Sequence, residues 1–156
     1  MIELALYQPD IPQNTGTLLR LCACWDIKMH LIEPLGFIFN EQKMRRSAMD
    51  YIDHVTYTRH ANFDTFKDYT KQNKKRIVLS TTKGATLLQK FQFTENDIIL
   101  MGRESAGVPD DVHEQADARI RIPMKAEMRS INMAVSASAM VTAAMLQTNG
   151  FDKLED

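Results

Sequence analysis

The chain alternates short apolar runs with amphipathic helical stretches along most of its length, and this rhythm constrains the fold more than any other feature. Met1–Tyr7, Ile27–Ile32, His54–Thr58, Ile77–Thr81, Asp97–Met101 and Arg119–Ile122 read as strands. Thr15–Trp25, led in by Pro12, then Glu41–Asp50, Asn62–Gln72, Pro109–Gln115 and Ser130–Thr148 read as helices, the last stopped by Asn149-Gly150. Strands separated by helices pair in parallel, because the chain must cross back over the sheet before it can add the next one. The pattern therefore predicts an α/β fold with a mainly parallel sheet flanked by helices. Its 156 residues suit a single domain, 1–156, large enough to bury a core without staples.

Charge narrows the partners. A formal net charge of -1 and a pI near 6.4 argue against coating nucleic acid or an anionic membrane by bulk charge. Local basic clusters remain: Lys43, Arg45 and Arg46; Lys74, Lys75 and Arg76; and Arg119, Arg121, Lys125 and Arg129. A solvated face is the plainer reading of any one of them, ahead of a binding patch. Cys22 and Cys24 lie two apart in a helical pattern, on different faces, and read as reduced thiols. The N-terminus starts directly as a strand, and no apolar run is long enough to span a bilayer. A cytoplasmic protein is expected.

Two segments carry the chemistry, Gly102-Arg103-Glu104-Ser105-Ala106-Gly107-Val108-Pro109 and Ile122-Pro123-Met124 followed by Ser130-Ile131-Asn132. Both follow β-type runs and open helical patterns. At such turns backbone N–H groups and close-approach glycines gather, which is where open α/β sheets bind ligands. Gly102 would permit close approach and Gly107 a tight turn. The glycine spacing resembles a Walker A loop, but Val108 stands where that loop needs its lysine. The first turn lacks G-x-G-x-x-G, which removes the main support for a dinucleotide fold. Arg103 to Gly107 is a near miss for a serine nucleophile elbow, yet Asp110 and His113 follow too soon to be the distant partners a triad requires. A pocket with backbone walls, and Glu104 and Ser130 as polar handles, suits a flat adenine and ribose. The first strand-to-helix junction adds Asn14, Gly16 and Arg20, where Arg20 reads equally as a phosphate or carboxylate ligand and as a surface ion pair.

Together, Ile11-Pro12-Gln13-Asn14-Thr15-Gly16 with Arg20, then Asp97 to Pro109, then Ile122-Pro123-Met124 with Arg129-Ser130-Ile131-Asn132, resemble the three signature motifs of the SPOUT methyltransferases. Order and spacing agree over nearly the whole chain. Leu6-Tyr7-Gln8-Pro9, Ile32 to Phe37, Arg45-Arg46 and Thr81-Thr82-Lys83-Gly84 are similar to the minimal members, tRNA 2'-O-methyltransferases acting on cytidine or uridine at the wobble position. Met133-Ala134-Val135-Ser136 departs from the Leu-Ser-Asn that often follows the third motif.

The resemblance implies a C-terminal trefoil knot, a homodimer, tRNA as partner, and S-adenosylmethionine as cofactor without a metal. It places the cofactor against Ser80, Gly102, Glu104, Ile122 and Ser130, and assigns catalysis to Arg20, Asn14, Ser130 and Asn132. RNA contacts would come from Arg20, Lys43, Arg45 and Arg46. The small residues of the terminal helix, Ala134, Ala137, Ala139, Ala143 and Ala144, are expected at or near the dimer interface. A guanidinium is a poor base, so Arg20 is read as a clamp on a neighbouring phosphate, with the identity of the base open.

Overall fold

A computed structural model describes residues 1–83 and 85–154, without the side chains of residues 47–49. Gly84, part of one family-like segment, lies outside the described residues. Seven strands form one sheet: β1 (Glu3–Tyr7), β2 (Met29–Ile32), β3 (Tyr57–His60), β4 (Arg76–Ser80), β5 (Thr86–Leu87), β6 (Asp97–Met101) and β7 (Ala118–Arg121). Their order across the sheet is β3-β2-β1-β6-β4-β7-β5, and every pairing is parallel. The helices are α1 (Pro12–Cys24), α2 (Glu41–Ala48), α3 (Phe63–Gln72), α4 (Asp110–Gln115) and α5 (Met133–Gln147).

Alternation along the strands splits the core into two layers. Leu4, Leu6, Val78, Ile99 and Met101 join Leu18, Leu19 and Cys22 of α1 and Met140, Val141 and Ala144 of α5 on one face. Ala5, Tyr7, Leu79, Ile98 and Leu100 point the other way, onto Phe63 and Phe66 of α3 and Val112 beside them. Buried on both faces, β1 and β6 become the centre of the molecule.

Several boundaries differ from the sequence expectation, each for a local reason. The third strand runs over Tyr57–His60 rather than His54–Thr58, because Val55 is a core plug ahead of the strand and His60 finds a buried partner. The helix expected over Glu41–Asp50 ends at Ala48 and tightens into a 3-10 turn, Met49–Asp53. The terminal helix starts at Met133 rather than Ser130, because the Asn132 side chain accepts from the N–H groups of Ala134 and Val135. Helix α1 instead starts early, at Pro12, where a missing N–H costs nothing. The two-residue β5 carries too little pattern to be anticipated.

Beneath β1, β2 and β3 lies a buried polar chain that the apolar rhythm conceals. Glu3 accepts from His30 Nε2 at 2.7 Å, and His30 Nδ1 lies 2.9 Å from His60 Nε2. A carboxylate only accepts, so His30 carries its proton on Nε2 and His60 donates to Nδ1. Lys75 Nζ, 2.8 Å away, and the Tyr69 hydroxyl, 3.1 Å away, complete the shell of Glu3. Burial pushes the Glu3 carboxyl up, but the hydrogen bonds from His30 and Lys75 overcome it and hold it at about 2. Burial drives His30 down against the pull of Glu3, and burial with the neighbouring charges drives His60 down to about 4.

All three shifts remove stability in acid. Below pH 6.5 the unfolded chain protonates histidines that the fold keeps neutral, and below 4.5 it protonates a carboxylate that the fold keeps ionised. Urea unfolding should show stability falling by about 1–3 kcal/mol between pH 7 and pH 4, with no recovery at lower pH. A His60→Asn variant should show a flatter slope between pH 6.5 and 4; an equal slope would remove His60 from this account.

Candidate active site

Because the sheet is parallel, the carboxyl ends of β1, β4, β6 and β7 open along one edge. The segments that leave those ends surround a cleft of about 510 Å³. Asn14, Ser80, Gly102, Glu104, Ile122, Ser130 and Asn132 all line it. The structure thus brings seven of the sequence-derived site residues to one place, from positions as far apart as 14 and 132.

The segment after β6 is closed by its own backbone. Arg103 N–H donates to the Gly107 carbonyl at 2.8 Å, and Gly107 N–H returns a bond at 2.9 Å. Gly107 has φ 64°, in the left-handed region, as its place in a tight turn requires. A Cβ on Gly102 would lie 2.8 Å from the Gly107 Cα and carbonyl carbon. The close approach that Gly102 permits is therefore, first of all, that of the opposite limb of its own loop.

A directional polar relay runs from the start of α5 through α1 to this loop. Asn132 Oδ1 is committed to the helix N–H groups, so its Nδ2 faces Asn14 Oδ1, 3.2 Å away. Asn14 is thereby turned to donate through Nδ2 to Glu104 Oε1 at 3.4 Å. Glu104 also accepts from Asp10 N–H at 2.7 Å and Ile11 N–H at 3.4 Å. This carboxylate, from 90 residues downstream, holds the backbone at the start of α1, where Ile11 makes no side-chain cap of its own.

Arg20, Lys43, Arg45 and Arg46 do not line the cleft. Arg20 lies on the exposed side of α1 with its guanidinium carbon 4.9 Å from the centre of the Tyr51 ring. Arg45 forms a two-bond fork with Asp53, at 2.6 and 2.7 Å, while Lys43 and Arg46 are exposed on α2. Lys83, Arg121 and Arg129, named in the sequence only within a motif or a basic cluster and not as site residues, contribute positive charge to the cleft. His113 also lines it, but its ring meets Arg119 Nε and the Lys83 carbonyl, whereas Ser105 Oγ bonds Asp10. No serine triad forms. Among the described residues no group of three His, Cys, Asp or Glu side chains is arranged to hold a metal ion, and no helix is long and apolar enough to cross a membrane.

The model of the SpoU rRNA methylase family matches residues 1–142. The chain belongs to that family. A tRNA (cytidine(34)-2'-O)-methyltransferase from Ancylobacter novellus is 47% identical over 96% of this chain and 95% of its own. A solved structure described as giving insights into 2-OH methylation of C/U34 on tRNA superposes with a TM-score of 0.89 at 35% identity, covering 96% of this chain and 97% of that one. An AdoMet-bound rRNA methyltransferase from Sinorhizobium meliloti shares the fold, with a TM-score of 0.85 at 23% identity over 93% of this chain and 56% of that one. The α/β architecture and the SPOUT membership expected from the three motifs both hold.

Proposed function

We propose that the chain is an S-adenosylmethionine-dependent methyltransferase that modifies the ribose 2'-hydroxyl of the wobble nucleotide, cytidine or a modified uridine, in tRNA anticodon loops. The observation that carries this reading is the convergence of the three family motifs on one cleft, where the Asn132–Asn14–Glu104 relay ties the start of α5 and α1 to the glycine-closed loop. The naming of near-full-length relatives supports the acceptor.

The backbone-rich wall fits a flat, neutral adenosine better than a polyphosphate. Ser80, Gly102, Ile122 and Ser130 would hold the cofactor, and Glu104 would keep that wall against α1. When bound, the cofactor supplies a methyl group on a sulfonium leaving group. The chain's own task is then to align the hydroxyl and ease its deprotonation. Arg20, outside the cleft but on α1 one turn beyond Gly16, clamps the phosphate beside the reacting ribose. Lys43, Arg45 and Arg46 extend the grip along the RNA, with Arg45 exchanging its exposed ion pair with Asp53 for a phosphate.

The same proposal includes a homodimer, the trefoil knot at the C-terminal segment, and a cytoplasmic site of action. Helix α5 is apolar around most of its circumference, and such helices are normally covered. Its outer side shows Val135 at 58% exposure and Leu146 at 66%. The small residues divide differently from the sequence expectation. Ala134, Ala137 and Ala144 are packed in the chain's own core, so the stripe available to a second copy is Val135, Ala139 and Leu146.

Nucleoside mass spectrometry of tRNA incubated with the protein and labelled cofactor tests the reading. A single ribose methyl at the wobble nucleotide is expected, made by a species that elutes as a dimer. Methylation of a base, or of a ribose elsewhere, would overturn the acceptor assignment.

A further inference from the structure

Asp10 does not line the cleft, yet it is the most heavily engaged side chain beside it. Its Oδ1 takes the Arg103 fork, Nη2 at 2.5 Å and Nε at 3.2 Å, and its Oδ2 accepts from Ser105 N–H at 3.1 Å and Ser105 Oγ at 2.5 Å. Arg103 Nη1 reaches on to Gln8 Oε1 at 3.4 Å. From the far side the chain closes in: Gly36 N–H donates to the Pro9 carbonyl at 2.9 Å, and a Cβ on Gly36 would lie 2.8 Å from Asp10 Oδ1. Glu104 answers from the opposite direction by holding Asp10 N–H. The two segments thus hold each other reciprocally, each with a carboxylate on the other.

Division of labour follows from what the 102–107 loop does without Asp10. Its two Arg103–Gly107 backbone bonds fix its internal shape. What Asp10 fixes is where that ready-made loop sits relative to the start of α1, and so to Asn14 and Arg20. We propose that the Asp10–Arg103 ion pair is a positioning device that registers the cofactor wall against the acceptor wall. The inference rests on the reading that the 102–107 loop faces S-adenosylmethionine and that α1 faces the RNA. Hydrogen bonds from Arg103 and Ser105 hold the Asp10 carboxyl at about 2, so the pair is ionised at neutral pH.

A positioning role separates turnover from cofactor affinity, which general loosening of the fold does not. Asp10→Asn should lower kcat by about 10- to 100-fold at saturating tRNA and cofactor, since misplacement by an ångström costs that much. Its calorimetric Kd for S-adenosylmethionine should stay within about threefold of the unchanged chain. Arg103→Ala, whose side chain also lines the cleft, should show the same fall in kcat, and the double variant should lose no more turnover than either single one, because the pair acts as a unit. Hydrogen exchange gives a readout independent of turnover: adding S-adenosylmethionine should slow exchange in segment 8–16 of the unchanged protein and not of Asp10→Asn. Unaltered kcat, a cofactor Kd that rises in step with the fall in kcat, multiplying losses in the double variant, or intact exchange coupling in Asp10→Asn would each overturn the proposal. A variant that proves unfolded by circular dichroism leaves Arg103→Ala and its exchange profile to decide the question. If the unchanged protein binds cofactor and shows the exchange coupling but methylates no RNA, the acceptor reading fails and the registration stands; if it does not bind cofactor, both fall.

Discussion

Arg20→Ala should lower turnover by about 100- to 1000-fold while leaving S-adenosylmethionine binding close to that of the unchanged chain. The expectation comes from where the guanidinium lies, on the exposed side of α1 against Tyr51 and outside the cleft that would hold the cofactor. A delocalised cation held over an aromatic face keeps its charge and its planar donors while losing rotational freedom, which suits a phosphate clamp and not a proton acceptor. Arg20→Lys would keep the charge without the fork and should recover only part of the rate. Single-turnover kinetics with saturating cofactor, alongside calorimetry, separates the two sides. Collapse of cofactor affinity in Arg20→Ala would show that the site is not divided in this way.

The second large effect belongs to Gly102. A valine there would drive its side chain into the Gly107 backbone, where even a Cβ would sit at 2.8 Å. The loop is bonded to itself at that point and cannot yield without opening its two backbone hydrogen bonds. Overpacking of this kind commonly costs about 1–3 kcal/mol, so Gly102→Val should lower the melting temperature by several degrees and weaken S-adenosylmethionine binding by about 100-fold or more. Gly107→Ala provides the contrast. A Cβ at 107 meets no neighbouring atom within 4 Å, so only the cost of a left-handed alanine, about 1 kcal/mol, is expected. Cofactor affinity in Gly102→Val equal to that of the unchanged chain would remove this loop from the binding site.

How far the sequence carried these conclusions depends on the kind of information each needed. Strand β6 was legible to the residue, because Asp97–Met101 is a pure apolar run with a charged start. The site was legible as a set of segments, because turns after strands are local events and Gly102, Glu104 and Asn132 each sit in one. Contacts between those segments were not. Nothing within ten residues of Asp10 indicates that Arg103 and Ser105 will be its partners, and nothing near His30 signals His60 or Glu3. Pairs separated by 27 to 95 positions are products of the sheet order, in which β1 lies between β2 and β6. The facing of α5 was hidden for another reason. An apolar helix with small residues all round has no preferred side in its own sequence, so only packing against α1 and β6 decided which alanines would be buried.

The direction of the hydrogen bonds through Asn132 limits how this protein can change over time. As a helix cap alone the position would accept aspartate as readily as asparagine. Aspartate, however, brings a second acceptor in place of Nδ2, and Asn14 would have to reverse its amide to meet it. Reversed, Asn14 would turn its carbonyl oxygen toward the Glu104 carboxylate, and two acceptors would face each other at the join between α1 and the 102–107 loop. Serine, whose hydroxyl sits one bond short of the amide nitrogen, cannot span the same gap. A position open to several residue types by the demands of local folding is thus narrowed to one by a neighbour 118 positions away, and a mutational drift that left the helix intact would still be filtered at the cleft.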